Sequence, residues 1–206
     1  FDGEGTCLTT EACLLSEGRN PTLTKEEIEN ILKENLNVEK VIWLKNGIYL
    51  DETNEHIDNM ACFLAPGKIA LAWCDDVNDP QYQMCVDAYN TLSETTDSKG
   101  RKFEIVKIPL PKPLYMTEEE AKGIDNREHT SKERLVNSRL SASYINFYQS
   151  DAYVILPAFG VPEDEIAYNI MKQNYPEKEI IQINTREILL GGGNIHCMTM
   201  QIPTKL

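Results

Sequence analysis

Apolar positions along this chain switch repeatedly between a two-residue and a helical period. Gly5–Thr10 and Ala12–Leu15 are short β-prone runs that predict a hairpin. Thr24-Lys25-Glu26-Glu27 then reads as a capping box, in which a hydroxyl and a carboxylate satisfy free N–H groups at a helix start. Ile28, Ile31, Leu32 and Leu36 follow on one helical face, and Val38–Leu44 returns to the strand pattern. A second set runs Asn59–Leu64, a turn at Pro66-Gly67, Lys68–Trp73, a helix from Asp79-Pro80 to about Glu94, and Phe103–Ile108. Its helix carries Tyr82, Cys85, Val86, Tyr89 and Leu92 as the predicted buried stripe. A third set runs Ser143–Tyr148, Tyr153–Leu156, a helix from Glu163 to about Asn174, and Glu179–Ile183.

Strand, strand, helix, strand is therefore predicted three times, in modules at about 1–45, 56–108 and 143–183. A partial module at 194–206 begins with a predicted strand at Asn194–Ile202. Phe1-Asp2-Gly3-Glu4 reads as the middle of an opening strand, so residues before Phe1 are expected. A ββαβ module cannot bury its own apolar face, and several must pack around a shared centre. The expected fold class is α/β, in a ring-like or propeller-like arrangement. Three connections lie outside the modules: Lys45–Glu55, Pro109–Leu140 and Asn184–Gly193. The middle one holds Pro109, Pro111 and Pro113 ahead of a short helix predicted at Thr117-Glu118-Glu119-Glu120. Such long connections are either binding loops or plain surface excursions.

Charge narrows the function. Thirty-three acidic against 20 basic residues give 206 residues a net charge of −13. Nucleic acid is a poor partner and none is expected, because binding it depends on a basic footprint. The acidic surface serves solubility or draws a cationic ligand. No apolar run reaches the roughly 18–20 residues that span a bilayer, which excludes a membrane-embedded protein. Six cysteines include no C-x-x-C pair and mostly sit among apolar residues, so neither a disulfide framework nor a zinc site is expected, and a reducing cytoplasm is. No metal-binding spacing such as H-E-x-x-H occurs, and no metal is expected.

Two connections end in related motifs, Asn54-Glu55-His56 and Asn194-Ile195-His196. Modules arranged about one axis would bring His56, Asp58 and Cys197 together, as nucleophile and base meet in many cysteine enzymes. Gly191-Gly192-Gly193 supplies backbone free to take positive φ beside that thiol. The plainer alternatives are an inert core thiol at Cys197 and a hydrogen-bonded core histidine at His56, among Asp51, Glu52, Glu55 and Asp58. His196 reads as support for Cys197, and His129 as solvated surface within the polar Asn126–Lys132 stretch.

The stretches Asp51-Glu52-Thr53-Asn54-Glu55-His56-Ile57-Asp58-Asn59 and Gly191-Gly192-Gly193-Asn194-Ile195-His196-Cys197-Met198-Thr199 resemble the paired signatures of agmatine deiminases. Asp2-Gly3-Glu4-Gly5-Thr6, Asn78-Asp79-Pro80-Gln81-Tyr82 and Ala142-Ser143-Tyr144-Ile145-Asn146-Phe147-Tyr148 agree with it. The resemblance implies a pentein-type α/β propeller of five ββαβ modules, with about three present here and the active site at the centre. It implies hydrolysis of agmatine to N-carbamoylputrescine and ammonia without a cofactor. Cys197 would be the nucleophile, and His56 the acid and then the base. Asp58 would hold the guanidinium and Glu52 the distal amine, with Gly192, Gly193 and Asn194 in support. A glutamate in a Glu-Gly-Gly element and an aspartate further upstream belong to that pattern and match nothing here. The resemblance thus covers the C-terminal three-fifths or so of such an enzyme. The sequence is then either truncated or completed by another polypeptide, and alone it is expected to be inactive or nearly so. A deiminase of arginine or peptidyl-arginine stays open, although the acidic Asp51-Glu52 pair favours an amine at the far end. A non-catalytic cation-binding or interaction fragment and a homo-oligomer stay open too.

Overall fold

The structure is a computed structural model that describes residues 1–124, 134–200 and 202. Strand β1 (Thr6–Thr10) pairs parallel with β2 (Lys40–Leu44), Thr6 opposite Lys40 and Thr10 opposite Leu44. Parallel pairing needs a crossover. Between the two strands lie a short helix α1 (Glu11–Leu14) and the crossover helix α2 (Lys25–Leu36). Both halves of the capping box form: Thr24 accepts from the Glu27 N–H, and Glu27 accepts from the Thr24 N–H. Of the predicted stripe, Ile28 is buried and Leu32 packs beside it, against a small cluster of Cys7, Val38, Val41 and Trp43. Ile31 and Leu36 are exposed.

The second module follows its predicted order, but of the predicted helix stripe only Cys85 and Leu92 are buried; Gln81 and Ala88 join them, and Tyr82, Val86 and Tyr89 are half-buried. Helix α3 (Ile57–Met60) leads into β3 (Ala61–Ala65), then β4 (Lys68–Trp73), α4 (Pro80–Glu94) and β5 (Glu104–Pro109). Central β4 pairs antiparallel with β3 and parallel with β5. Asp79 caps α4 by accepting from the Gln81 N–H, and Pro80 sits in its first turn, where a missing N–H costs nothing. Within the long connection, β6 (Leu114–Tyr115) pairs with β7 (Arg139–Leu140), and α5 (Glu118–Lys122) carries its own capping box at Thr117. The third module repeats the topology of the second with β8 (Tyr148–Gln149), β9 (Tyr153–Ala158), α6 (Glu163–Asn174) and β10 (Glu179–Asn184). Helix α7 (Arg186–Leu189) follows. Helix α4 also lies against β2, and α6 against β5, so each module leans on the closing strand of the one before. One main apolar cluster joins Leu8, Leu44, Met60, Leu71, Leu156 and Met171 across all three modules.

Four expected strands are absent. Phe1–Glu4 is a bend instead, closed by the Asp2 carboxylate, which accepts from the N–H groups of Glu4 and Thr6. Ala12–Leu15 is not the second arm of a hairpin: the Thr10 hydroxyl accepts from the Cys13 N–H and starts α1 instead, so β1 holds the central-strand position that β4 and β9 hold in the other modules. Ser143–Phe147 is not strand either. Every residue from Leu140 to Phe147 is buried, and its backbone is tied to loops rather than to a neighbouring strand. The Ser143 hydroxyl donates to the Asn59 carbonyl and accepts from the Ile145 N–H, while the Tyr144 hydroxyl donates to Asp164. At the far end, His196–Met198 forms a single 3₁₀ turn where the strand Asn194–Ile202 was expected. Met198, Met200 and Ile202 are 69%, 84% and 85% exposed, Gln201 lies outside the described residues, and no strand among the described residues pairs with this segment.

Candidate active site

Two segments separated by about 140 residues make the site. The first is the connection Lys45–Glu55 with α3. Leu50, Asn54 and Glu55 all take left-handed φ values, of 61°, 69° and 56°. For residues with a Cβ this costs about 1–2 kcal/mol each, and it persists only where surroundings enforce it. They do so here. The Glu55 carboxylate accepts from the Gly47 N–H and the Asn46 amide, at 3.0 and 3.1 Å, and its carbonyl accepts from the Thr10 hydroxyl at 2.7 Å. A Cβ on Gly47 would stand 2.5 Å from the Glu55 carbonyl oxygen, so only glycine permits this crossing. Asp51, fully buried, accepts from the N–H and hydroxyl of Thr53 and from the Asn59 amide. The strained loop delivers His56 as the N-cap residue of α3, with Asp58 in its first turn.

The second segment is Gly191–Thr199. Gly192 and Gly193 take φ of 84° and 151°. A Cβ on Gly193 would meet the Cys197 Sγ at 2.8 Å, and one on Gly192 would meet Arg134 Nη2 at 2.8 Å and Glu52 Oε1 at 3.0 Å. These glycines therefore make room for the thiol and for the Glu52 loop. Gly191 has no positive φ. Cys197 donates to Asp58 Oδ2 at 3.2 Å, and His196 Nδ1 lies 2.8 Å from the same oxygen. The other oxygen, Asp58 Oδ1, is buried without a hydrogen-bond partner among the described residues. Asp58 and His196 line a cavity of about 490 Å³ together with Leu8, Ile57, Ile145 and Phe147. Asn194, buried and next to the glycines, accepts from the Ile195 N–H through its own side chain, while its amide nitrogen has no partner among the described residues.

Electrostatics at this junction oppose a resting thiolate. Burial raises the Cys197 pKa, and the Asp58 charge raises it further, against hydrogen bonds from Asn194 and Asn146. Burial also pushes the Asp58 pKa up, but the hydrogen bonds from His196 and Cys197 outweigh it and hold the carboxyl below its ordinary value of 3.8. A cation placed against Asp58 would relieve the repulsion and favour the thiolate.

Of the sequence-predicted residues, Asp58 and Cys197 touch, and His56 stands two residues from Asp58 on the same strained turn. The His56 Nε2 lies 2.7 Å from the Arg19 guanidinium, and no hydrogen bond among the described residues joins it to Cys197. His196, expected only as support for Cys197, bridges to Asp58 directly. The two members of the acidic Asp51-Glu52 pair have different surroundings. Asp51 holds the loop together, and Glu52 lies 3.6 Å from Arg134, which also donates to the Leu190 and Gly191 carbonyls. His129 falls outside the described residues. Sequence reading missed Asn146, Arg19 and Arg134. Only Asn146 carried a signal: a polar side chain within the apolar run Tyr144-Ile145-Asn146-Phe147 needs buried partners. It has them in Cys197, whose Sγ lies 3.0 Å from its Nδ2.

A model of the family described as Porphyromonas-type peptidyl-arginine deiminase matches residues 1–203. A Listeria monocytogenes protein with the provisional name agmatine deiminase 1 is 56% identical over 202 residues, 98% of this chain and 55% of its own length. The agmatine deiminase of Pseudomonas fluorescens is 50% identical over 202 residues, with the same 98% and 55% coverage. A solved agmatine deiminase of Enterococcus faecalis superposes with a TM-score of 0.90 at 42% identity, covering 100% of this chain and 56% of that one. The chain spans about half the length of the curated relatives it matches.

Proposed function

This chain belongs to the Porphyromonas-type peptidyl-arginine deiminase family and has the pentein-type α/β fold of its agmatine deiminase relatives; on that premise we propose that it carries the nucleophile side of an agmatine-hydrolysing site. The observation that carries the reading is the buried, unpartnered Oδ1 of Asp58, beside a thiol and an imidazole that share its Oδ2. A buried acceptor without a donor is costly, and a guanidinium N–H is the donor that suits it.

In this reading agmatine's guanidinium lies against Asp58. Its positive charge offsets the carboxylate's effect on Cys197, so the nucleophile is activated by the substrate it attacks. The thiol proton passes through water to His56, and the sulfur forms a C–S bond to the guanidinium carbon. Collapse of the tetrahedral centre breaks one C–N bond, and His56 protonates the departing ammonia. The amidino-cysteine intermediate is then attacked by water, which gives its proton to His56. The C–S bond breaks, the sulfur leaves as thiolate, and N-carbamoylputrescine remains. Glu52 is the candidate partner of the distal ammonium. The further carboxylates that the resemblance implies match no residue of this sequence, so turnover belongs to a protein of the relatives' full length.

One observation favours a second reading, arginine or peptidyl-arginine as substrate. Arg134 lies beside Glu52, where a substrate carboxylate or peptide carbonyl would find a donor. Ammonia release from agmatine, free arginine and a peptidyl-arginine, measured side by side on the full-length protein, decides between them. Agmatine is expected to be turned over fastest, and faster release from arginine would overturn the assignment. Cys197→Ser is expected to abolish release while leaving the thermal unfolding midpoint unchanged, because the residue is exposed. Retained turnover in that variant would overturn Cys197 as the nucleophile, whereas no release from any of the three substrates, with no selective labelling of Cys197 by a haloacetamidine in the unsubstituted protein, would leave only a cation-binding role.

A further inference from the structure

We propose that Asn146 is a second catalytic residue on the nucleophile, holding the Cys197 sulfur through its amide N–H while its carbonyl holds the Cys197 backbone. This rests on the reading of Cys197 as the nucleophile and adds a group to it.

The amide is oriented by what faces it. Its Oδ1 lies 3.3 Å from the Cys197 backbone N–H, a group that can only donate, so Oδ1 must be the acceptor end. Nδ2 then points at Sγ, 3.0 Å away. A third bond, from the His196 N–H to the Asn146 carbonyl at 3.2 Å, ties the same residue to the turn before the nucleophile. Asn146 is 0% exposed, so water does not compete for these groups. The residues just ahead of it are anchored by Ser143 on Asn59 and Tyr144 on Asp164. The donor is thus built into the core and aimed at an otherwise exposed thiol.

Among the described residues the charged group against Sγ is Asp58 from α3; His196 bonds the same carboxylate oxygen, and His56 is the N-cap residue of α3 with its ring on Arg19. Asp58 disfavours the thiolate. Asn146 supplies a neutral donor that favours it, and a hydrogen bond to a charged acceptor is about twice as strong as one to a neutral acceptor. The bond therefore strengthens as the sulfur ionises, and again when the sulfur leaves the amidino intermediate as thiolate.

The test is the pH dependence of Cys197 alkylation by iodoacetamide, followed by peptide mass mapping, so it reads the thiol without requiring turnover. Asn146→Ala is expected to slow labelling at pH 8 on the order of tenfold and to move the midpoint of the rate profile to higher pH. Asn146→Asp keeps the backbone acceptor but exchanges the donor for a second negative charge, and is expected to slow it further. Ser143→Ala removes a buried hydrogen bond from the same segment without touching the sulfur, and should label like wild type. The buried Cys85 reports folding in each variant by staying unlabelled. Equal profiles for Asn146→Ala and Ser143→Ala would overturn the proposal, and so would loss of Cys85 protection in both Asn146 variants, since the residue would then be structural. If agmatine is not a substrate but the labelling profile shifts as stated, the functional reading fails and the role of Asn146 stands.

Discussion

The two halves of the candidate site are built to opposite specifications. The carboxylate half, Gly47 to Asn59, is over-determined: of its three residues in left-handed backbone, Glu55 is held by Thr10, Asn46 and Gly47, and Asn54 by the carbonyl of the buried Asp51. The thiol half, Gly191 to Thr199, has two glycines at positive φ, a single 3₁₀ turn and an exposed cysteine gripped by Asn146 and Asp58. The difference teaches which half is preorganised. A carboxylate that must meet a cation can be fixed in advance, because a rigid acceptor costs no reorganisation when the ligand arrives. A nucleophile that forms and breaks a bond gains from a loop that can adjust.

Gly193→Ala strikes the adjustable half hardest. Its Cβ would lie 2.8 Å from the sulfur, so the thiol must move by a large fraction of an ångström. Turnover of the full-length protein is expected to fall about 10²-fold, read as ammonia release, with a loss of about 1–2 kcal/mol in stability from the positive φ. Unchanged turnover would show that the sulfur is not confined as described. Gly47→Ala strikes the rigid half. Its Cβ would meet backbone at 2.5 Å, which no rotamer relieves. A loss of about 1–3 kcal/mol in urea unfolding is expected. If the first variant proves the more destabilising one, the contrast between the halves is reversed.

The smallest effect is expected away from both loops. Glu120 on α5 binds Arg186 through both oxygens, at 2.7 and 2.9 Å, and so ties the long connection to α7 ahead of the glycines. That hydrogen bonding lowers the Glu120 pKa from 4.5 to about 2. Its contribution to stability is therefore complete above pH 4.5 and is lost as pH falls toward about 2. Glu120→Gln is expected to cost about 0.5–1 kcal/mol at neutral pH and to flatten the acid limb of the stability profile. A variant that unfolds with the wild-type acid profile would rule out this clamp.

Local chemistry explains what could be read without coordinates. The capping boxes at Thr24 and Thr117, the Asp79-Pro80 start of α4 and the strands β4 and β9 each depend on neighbours within a few residues, and all are present. Ala12–Leu15 and Ser143–Phe147 carry strand-like composition, but a cap from Thr10 and burial on all sides override it. The meeting of Asp58 with Cys197 could be anticipated from repeated motifs, because equivalent positions in stacked modules converge. Three features could not be read from the chain: the Arg134 neighbour of Glu52, the Arg19 contact to His56, and the amide of Asn146 on the sulfur. Each joins residues at least 37 positions apart through side chains. Such contacts follow from how modules lean on one another, which residue spacing within a module does not encode. The chain by itself thus determined its elements, their order and the residue types of the site. Tertiary packing alone decided which groups neutralise, orient or expose them.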